Sequence, residues 1–397
     1  MSASARQLRW TAVAVVCMAS ALNYLDRSVL SALAPTIIKE FHLTAAQYGW
    51  IISAFSLSYM ISSPVVGLLI DHFGVRRGAA LVVAAWSGVG IVTGFVQSFT
   101  GLILCRSALG VAEAGGIPAV GKGNAMYLLP SERALGSAVS QVGLTLGIVG
   151  APLLTAWLSQ QYGWRMAFVA AGVLGLLWVP IWWYVSRIAP VVGEEIVGQS
   201  VAVSSVVRDA RWWWLLAANG LMMVVYSLWT GWTTQFLVTR YGLAQNAANV
   251  KYAWIPPNCA ALGGFVGGWL ALKLINSGRP VVQSRLLIAW IGAVGVLSTA
   301  LTPMMPTPAG ATLMISVSYF FALMISVNYY SLPVDLFGPG SSAFSISGLV
   351  ASYGLMQTIV SPLIGKSSET IGWQPVCLAA AVLPLVSAGI LQLALRR

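Results

Sequence analysis

The sequence predicts an all-α polytopic membrane protein of twelve transmembrane helices, arranged as two parallel six-helix repeats. Three observations carry that expectation. Hydrophobic residues fill 58% of the 397 positions and charged residues only 8%, with a mean hydropathy of +0.82. Twelve apolar runs follow one another, each near the ~20 residues that a bilayer crossing needs. A glycine-led loop after the second run returns, weakened, after the eighth.

The composition excludes several function classes. A water-facing surface carries about a quarter or more charged residues, so most of this chain faces lipid. The formal charge of +11 does not point to nucleic acid, because the basic residues punctuate apolar runs instead of clustering. Cys17, Cys105, Cys259 and Cys377 lie in apolar segments without CxxC spacing, so neither a disulfide framework nor a zinc site is indicated. His42 and His72 fall in expected loops without a catalytic partner nearby, which argues against an enzyme. A sensor would usually carry an attached soluble domain, and tails of this length are not expected to hold one. A Gly-x-x-x-x-Gly-Lys-Ser/Thr loop is missing, which argues against nucleotide-driven pumping. No cofactor or metal is implied.

The N-terminus imitates a signal sequence, with Arg6 and Arg9 before an apolar run from Trp10. That run continues through Asp26-Arg27 to Ala34, longer than a signal core, and reads as an uncleaved first helix. Spans are expected near 10–34, 46–70, 78–97, 101–127, 134–157, 166–186, 212–237, 250–272, 286–304, 309–333, 343–365 and 374–395. Gly74, Gly163, Gly242, Gly278, Pro303, Pro306, Pro308 and Pro339 mark turns between them. With the N-terminus cytoplasmic, fourteen Lys and Arg lie inside and five outside: Lys39, Arg165, Arg240, Lys251 and Lys366. That asymmetry and the even span count place both termini in the cytoplasm. The polar stretch 187–211, with Glu194, Glu195, Arg208 and Asp209, divides a bundle at 1–186 from one at 212–397. A functional monomer is expected, since twelve helices could bury enough surface for one.

The two halves echo each other. Gly67-Leu-Leu-Ile-Asp71-His-Phe-Gly74-Val-Arg76-Arg77 follows the second span, and Gly268-Trp-Leu-Ala-Leu272-Lys273-Leu-Ile-Asn-Ser-Gly278-Arg279 follows the eighth. Pro130-Ser-Glu-Arg133 and Pro339-Gly-Ser-Ser342 correspond in the same way. The loop at 67–77 resembles the signature of the major facilitator superfamily, and the copy at 268–279 lacks the aspartate. The resemblance implies that fold over the whole chain. On physical grounds Gly67 permits close helix packing. Asp71 accepts from backbone N–H groups or pairs with Arg76 or Arg77. Gly67, Asp71, Gly74, Arg76 and Arg77 would then form a cytoplasmic latch.

Four ionisable residues sit deep inside spans, away from their ends: Asp26, Arg27, Arg106 and Glu113. Such residues cost several kcal/mol in a bilayer and default to functional hypotheses. They sum to zero charge and lie on spans one and four. Arg106 and Glu113 share a helix face but stand ~10 Å apart, too far for a direct pair, so each wants another partner. Asp26 and Arg27 point about 100° apart. One arrangement pairs Asp26 with one arginine and aims the other at the lumen, where its fork suits a carboxylate.

Asn23-Tyr24-Leu25-Asp26-Arg27, with Arg106 and Glu113, resembles the anion:cation symporter branch of the superfamily, which includes bacterial sugar-acid and hexuronate transporters. The resemblance implies proton-coupled import of an organic anion, a hexuronate or aldonate, across a bacterial inner membrane by alternating access. It implies proton coupling at Asp26 and Glu113, carboxylate binding at Arg27, and a linking role for Arg106. Tyr24, Tyr59 and Gln141 match family binding positions. Tyr226, Trp229, Asn328, Tyr329 and Tyr330 are second-half lining candidates. Span eleven carries Leu355 where sugar-acid members often have asparagine, so a smaller or more aromatic carboxylate fits as well. An uncoupled or exchange-type exporter or facilitator is the alternative.

Overall fold

The computed structural model describes residues 3–129, 132–192, 203–338 and 342–395. The side chains of residues 3, 4, 71, 134, 203, 204, 342 and 343 lie outside that description. Every regular element among the described residues is a helix. Twelve of them are long and apolar enough to cross a membrane. They are α1 (Ala5–Ala32), α2 (Ala45–Ile70), α3 (His72–Thr93), α4 (Phe99–Tyr127), α5 (Leu135–Gln161) and α6 (Arg165–Ile188). The second six are α7 (Ala210–Tyr241), α8 (Gln245–Asn276), α9 (Val281–Met304), α10 (Pro308–Phe337), α11 (Phe344–Thr370) and α12 (Trp373–Ala394). All twelve expected spans are present, with ends displaced by a few residues. His72 is helical, because α2 runs almost directly into α3 through a kink at Gly74.

Local chemistry explains the helix ends. Thr44 Oγ1 accepts from Gln47 N at 3.1 Å while Gln47 Oε1 accepts from Thr44 N at 2.8 Å, a reciprocal capping box at the start of α2. Asp209 caps α7 by accepting from Arg211 N, and its hydrogen-bonded Arg211 neighbour holds the Asp209 carboxyl below the usual range. Gly242 closes α7 in the left-handed region.

The repeat survives as matched backbone devices. Ser98 caps α4 through Gly101 N, and Thr307 caps α10 through Gly310 N. Gly163-Trp164 opens α6 with φ +86°, and Gly372-Trp373 opens α12 with φ +83°. Gly74 and Gly278, the loop glycines of the two sequence copies, take φ +73° and +88°. Only glycine adopts these conformations without strain.

The chain divides into two compact units: unit 1 holds Met1–His42 and Ala54–Gly198, and unit 2 holds Leu43–Ser53 and Gln199–Arg397. In unit 1, α1 packs on α5 through Gly143 and Gly147; a Cβ at Gly147 would fall on the carbonyl of Ala21. Gly143 and Gly147 thus form a seam of direct backbone contact between the two helices. A Cβ at Gly110 in α4 would fall on the carbonyl of Phe55 in α2. In unit 2, Gly263 and Gly267 of α8 press on the backbone of Phe320 and Met324 in α10. Gly67 behaves otherwise: a Cβ there would meet nothing within 4 Å, so no close packing rests on it.

The start of α2 belongs to unit 2. Glu369 Oε1 of α11 accepts from Ala45 N at 2.6 Å, and Ser53 Oγ donates to Thr358 O at 2.7 Å. Tyr48 OH donates to Gly231 O at 3.2 Å. A Cβ at Gly365 would fall on the carbonyl of Ala45.

Overpacking a seam of this kind costs about 1–3 kcal/mol. Gly147→Val should therefore lower the thermal unfolding temperature in detergent, whereas Gly121→Val, where a Cβ meets nothing within 4 Å, should leave it in place. Equal behaviour of the two variants would show that the α1–α5 seam is not close-packed.

Candidate functional site

Unit 1 gathers its charge on α1 and α4. Tyr24 and Arg27 stand three apart on α1, hence on neighbouring faces, while Asp26 turns away from Arg27. On α4 the helix breaks at Ala114–Gly115 and resumes at Gly116, so Glu113 ends the first segment. The close approach of α4 and α2 at Gly110 carries Phe55 and Tyr59 to the same spot.

Arg27 Nε donates to Glu113 Oε2 at 2.5 Å. The Glu113 side chain is fully enclosed, while that of Arg27 keeps 19% of its surface exposed. Three rings surround the guanidinium: its Cζ lies 5.0 Å from the centroid of Tyr24, 4.9 Å from Phe55 and 4.6 Å from Tyr59. Phe55 and Tyr59 stack on each other at 5.8 Å. Such contacts are worth about 0.5–2 kcal/mol each when desolvated. The rings cover the guanidinium and Glu113 takes its inner edge. Nη2 has no hydrogen-bond partner among the described residues.

Asp26 is 4% exposed and points toward α3 and α6, its Oδ1 3.6 Å from the Cβ position at Gly90. Arg106 is 3% exposed, lies over the Phe168 ring at 5.7 Å, and acts electrostatically on both Asp26 and Glu113. Asn23 stands beside Glu113. Asp26, Arg27, Arg106 and Glu113 therefore form one buried group, with Arg27 its most exposed member. Gln141 is exposed on α5 and takes no part in the Arg27 cage.

Unit 2 carries an aromatic cluster. Tyr226 of α7 lies 5.5 Å from Tyr319 of α10 and 5.6 Å from Tyr353 of α11. Tyr319 OH and Thr230 Oγ1 share a hydrogen bond of 2.5 Å. Three expected lining residues lie instead in the interior of this unit. Asn328 is fully buried, donating to Gly267 O and Met324 O and accepting from Arg285 Nη1. Arg285 also pairs with Asp335, which the extension of α10 past Pro333 brings into the span. Tyr329 is 1% exposed and bonds to Ser387 Oγ, itself a donor to Ala218 O. Trp229 is 2% exposed and packs edge-on against Phe236. These side chains brace the bundle. Tyr330 is half-buried.

Of the expected latch, the Asp71 side chain lies outside the described residues. Arg76 Nη2 donates to Ser186 O at 2.5 Å, Trp182 Nε1 donates to Arg76 O, and Arg77 is exposed. Among the described residues no three His, Cys, Asp or Glu come together to hold a metal.

Phe55, Tyr319, Tyr353 and Thr230 escaped the sequence reading. Phe55 had a signal, its i,i+4 spacing from Tyr59 on α2. Tyr319 and Tyr353 stand in apolar runs that look like ordinary core.

A family model described as the Major Facilitator Superfamily matches residues 16–347. The chain is 28% identical over 402 residues to the hexuronate transporter of Escherichia coli (strain K12), covering 96% of this chain and 92% of that one. It is 28% identical over 306 residues to the galacturonate transporter of Dickeya chrysanthemi, covering 72% and 88%. In fold it resembles the crystal structure of a bacterial homolog to the human lysosomal transporter Spinster in an inward-facing and occupied conformation. That likeness has a TM-score of 0.79 at 21% identity and covers 97% of this chain and 96% of the other.

If Asn328 braces α8, α9 and α10, Asn328→Ala should lower thermal stability by about 1–3 kcal/mol through the polar groups it leaves bare. The transport KM should stay in place. A raised KM with intact stability would return Asn328 to the lining.

Proposed function

We propose, from the premise that this chain belongs to the major facilitator superfamily, that it is a secondary transporter carrying an organic monoanion together with a proton. The observation that carries this reading is the Arg27–Glu113 pair inside its aromatic cage. The names of the similar transporters, for hexuronate and galacturonate, support a carboxylate cargo. A bacterial inner membrane and cytoplasmic termini are part of the same reading, supported by the basic asymmetry of the loops. So is a functional monomer.

The chemistry follows from competition. A buried ion pair stands only while both partners are charged, since an unpaired buried charge costs several kcal/mol. A substrate carboxylate approaching Arg27 meets a guanidinium already held by Glu113. A proton on Glu113 ends its claim as an anion and leaves the guanidinium to the substrate. Proton and anion then bind together, and neither is favoured alone. Asp26 is the second proton site, balanced by Arg106. Tyr24 and Tyr59 hold Arg27 in place beside the substrate. Gln141, Tyr226 and Tyr330 are the remaining candidates for contacts to its uncharged part. Alternating access would carry the loaded site from one side to the other.

Proteoliposomes loaded with a pH-sensitive dye test this, with a panel of hexuronates, aldonates and small aromatic or aliphatic carboxylates. One acid should acidify the lumen. Glu113→Gln should abolish proton-driven uptake and retain exchange of labelled substrate. Arg27→Lys should raise KM about tenfold or more, because a point charge does not replace the fork. Proton-driven uptake that survives Glu113→Gln would contradict the coupling role. Substrate flux in wild-type protein without acidification would favour an uncoupled carrier.

A further inference from the structure

On the side of Asp26 away from the Arg27 cage, three buried polar atoms gather where α1, α3 and α6 meet. Asp26 Oδ2, Trp86 Nε1 and Ser87 Oγ have no hydrogen-bond partner among the described residues. Trp86 and Ser87 are 0% exposed and Asp26 4%. A native interior rarely leaves such groups bare, so clustered orphans point to a small polar ligand.

Glycines place the three atoms relative to one another. A Cβ at Gly90 of α3 would lie 3.6 Å from Asp26 Oδ1 and 3.7 Å from Gly172 Cα of α6. A Cβ at Gly175 would fall on Ser87 Oγ and lie 3.7 Å from Trp86 Nε1. Ser87 and Gly90 share one face of α3, and Gly172 and Gly175 share one face of α6. Ser87 Oγ therefore stands about one helical turn, ~5 Å, along α3 from the level of Asp26. One water making two hydrogen bonds of ~2.8 Å spans that distance. The donor inventory also fits: the indole only donates, the hydroxyl does either, and the carboxylate accepts. Three polar partners are what a buried water typically has.

We propose that α1, α3 and α6 enclose an ordered water bound by Asp26, Trp86 and Ser87, and that this water delivers the proton to Asp26. The delivery role rests on the coupling reading above; the water site does not. The water site lies on the side of Asp26 away from Arg27, so a proton arriving through it does not pass the place where the substrate carboxylate binds. In the step, a proton originating from bulk hydronium bonds to the water oxygen by way of Ser87 Oγ, which passes on its own proton as it gains the new one. One of the water's original O–H bonds breaks as the Asp26 Oδ2–H bond forms. Water and Ser87 end unchanged and Asp26 ends neutral. The charges facing Asp26 are Arg106 and Glu113 from α4, with Arg27 beside it on α1 turned away; α3 supplies Trp86 and Ser87, and α6 presents only Gly172 and Gly175. Ser87 is thus a positioning residue for proton transfer.

Radiolytic hydroxyl-radical labelling of the intact protein in isotopically labelled water tests the site, because a bound water marks the side chain beside it. Trp182 and Trp178 serve as dry controls: both are buried, with Nε1 bonded to the carbonyls of Arg76 and Val15. Trp86 should be labelled well above them, and Ser87→Val, which displaces the water, should bring it down to their level. Trp86 labelling no higher than Trp182 in wild-type protein would overturn the water site. For delivery, Ser87→Ala should slow proton-driven uptake about fivefold, the scale of one lost hydrogen bond. It should leave the substrate KM in place, and Ser87→Thr should restore the rate. An unchanged rate, or a rate and KM that worsen together, would overturn the delivery role. Wild-type protein that moves substrate without protons would defeat the coupling reading, and with it delivery, while Trp86 labelling would still decide the water.

Discussion

Arg27 and Glu113 are a charge pair in a place where charge is costly, and unit 1 is organised around making that pair affordable. Neither residue reaches the other along its own helix. The pair exists because α1 and α4 meet, with α4 broken just after Glu113 and α2 drawn in at Gly110. The same approach of α2 supplies Phe55 and Tyr59, whose ring faces stabilise the guanidinium where water would otherwise do so. A site of this type responds to protons for a simple reason. The pair is worth keeping while both ends are charged, and one proton removes the reason for it.

The wider fold follows from close backbone contacts. Lipid offers no hydrophobic drive between helices, so packing and buried hydrogen bonds hold them together. Gly143 and Gly147 do this for α1 and α5, and Gly263 and Gly267 do it for α8 and α10. In unit 2, Asn328 and Arg285 add a polar clasp around α8, α9 and α10. The polar groups of a span thus divide into two kinds. Some are spent on brackets within the bundle, and some are left with an unsatisfied edge, as at Arg27 and Asp26.

Much of this was legible in the residues. Apolar run length gave all twelve spans, since bilayer thickness constrains length more tightly than any tertiary contact does. The intramembrane charges stood out because their types are rare there, and their zero sum anticipated mutual pairing. The choice of partner was not legible: spacing excluded Arg106–Glu113 along one helix but did not say that α1 would bring Arg27. Asn328 and Tyr329 show the opposite limit. A polar side chain in an apolar helix looks the same in sequence whether it faces a solute or a neighbouring carbonyl, and only the packing of α8 and α12 shows the partners these two take. Gly67 was expected to serve packing because glycine often does, yet it borders open space. Phe55 offered only its i,i+4 spacing from Tyr59, which singles out nothing in a span until a guanidinium lies over both rings.

The central claim is that a substrate carboxylate and Glu113 compete for Arg27, so that anion binding takes up a proton. Calorimetry measures this directly, by titrating the transported acid into purified protein in two buffers of different ionisation enthalpy. The observed heat should depend on the buffer, with a proton taken up for each anion bound, and that dependence should vanish in Glu113→Gln. Heats independent of the buffer in wild-type protein would mean that the anion binds beside an Arg27–Glu113 pair that stays charged, and the competition would be wrong.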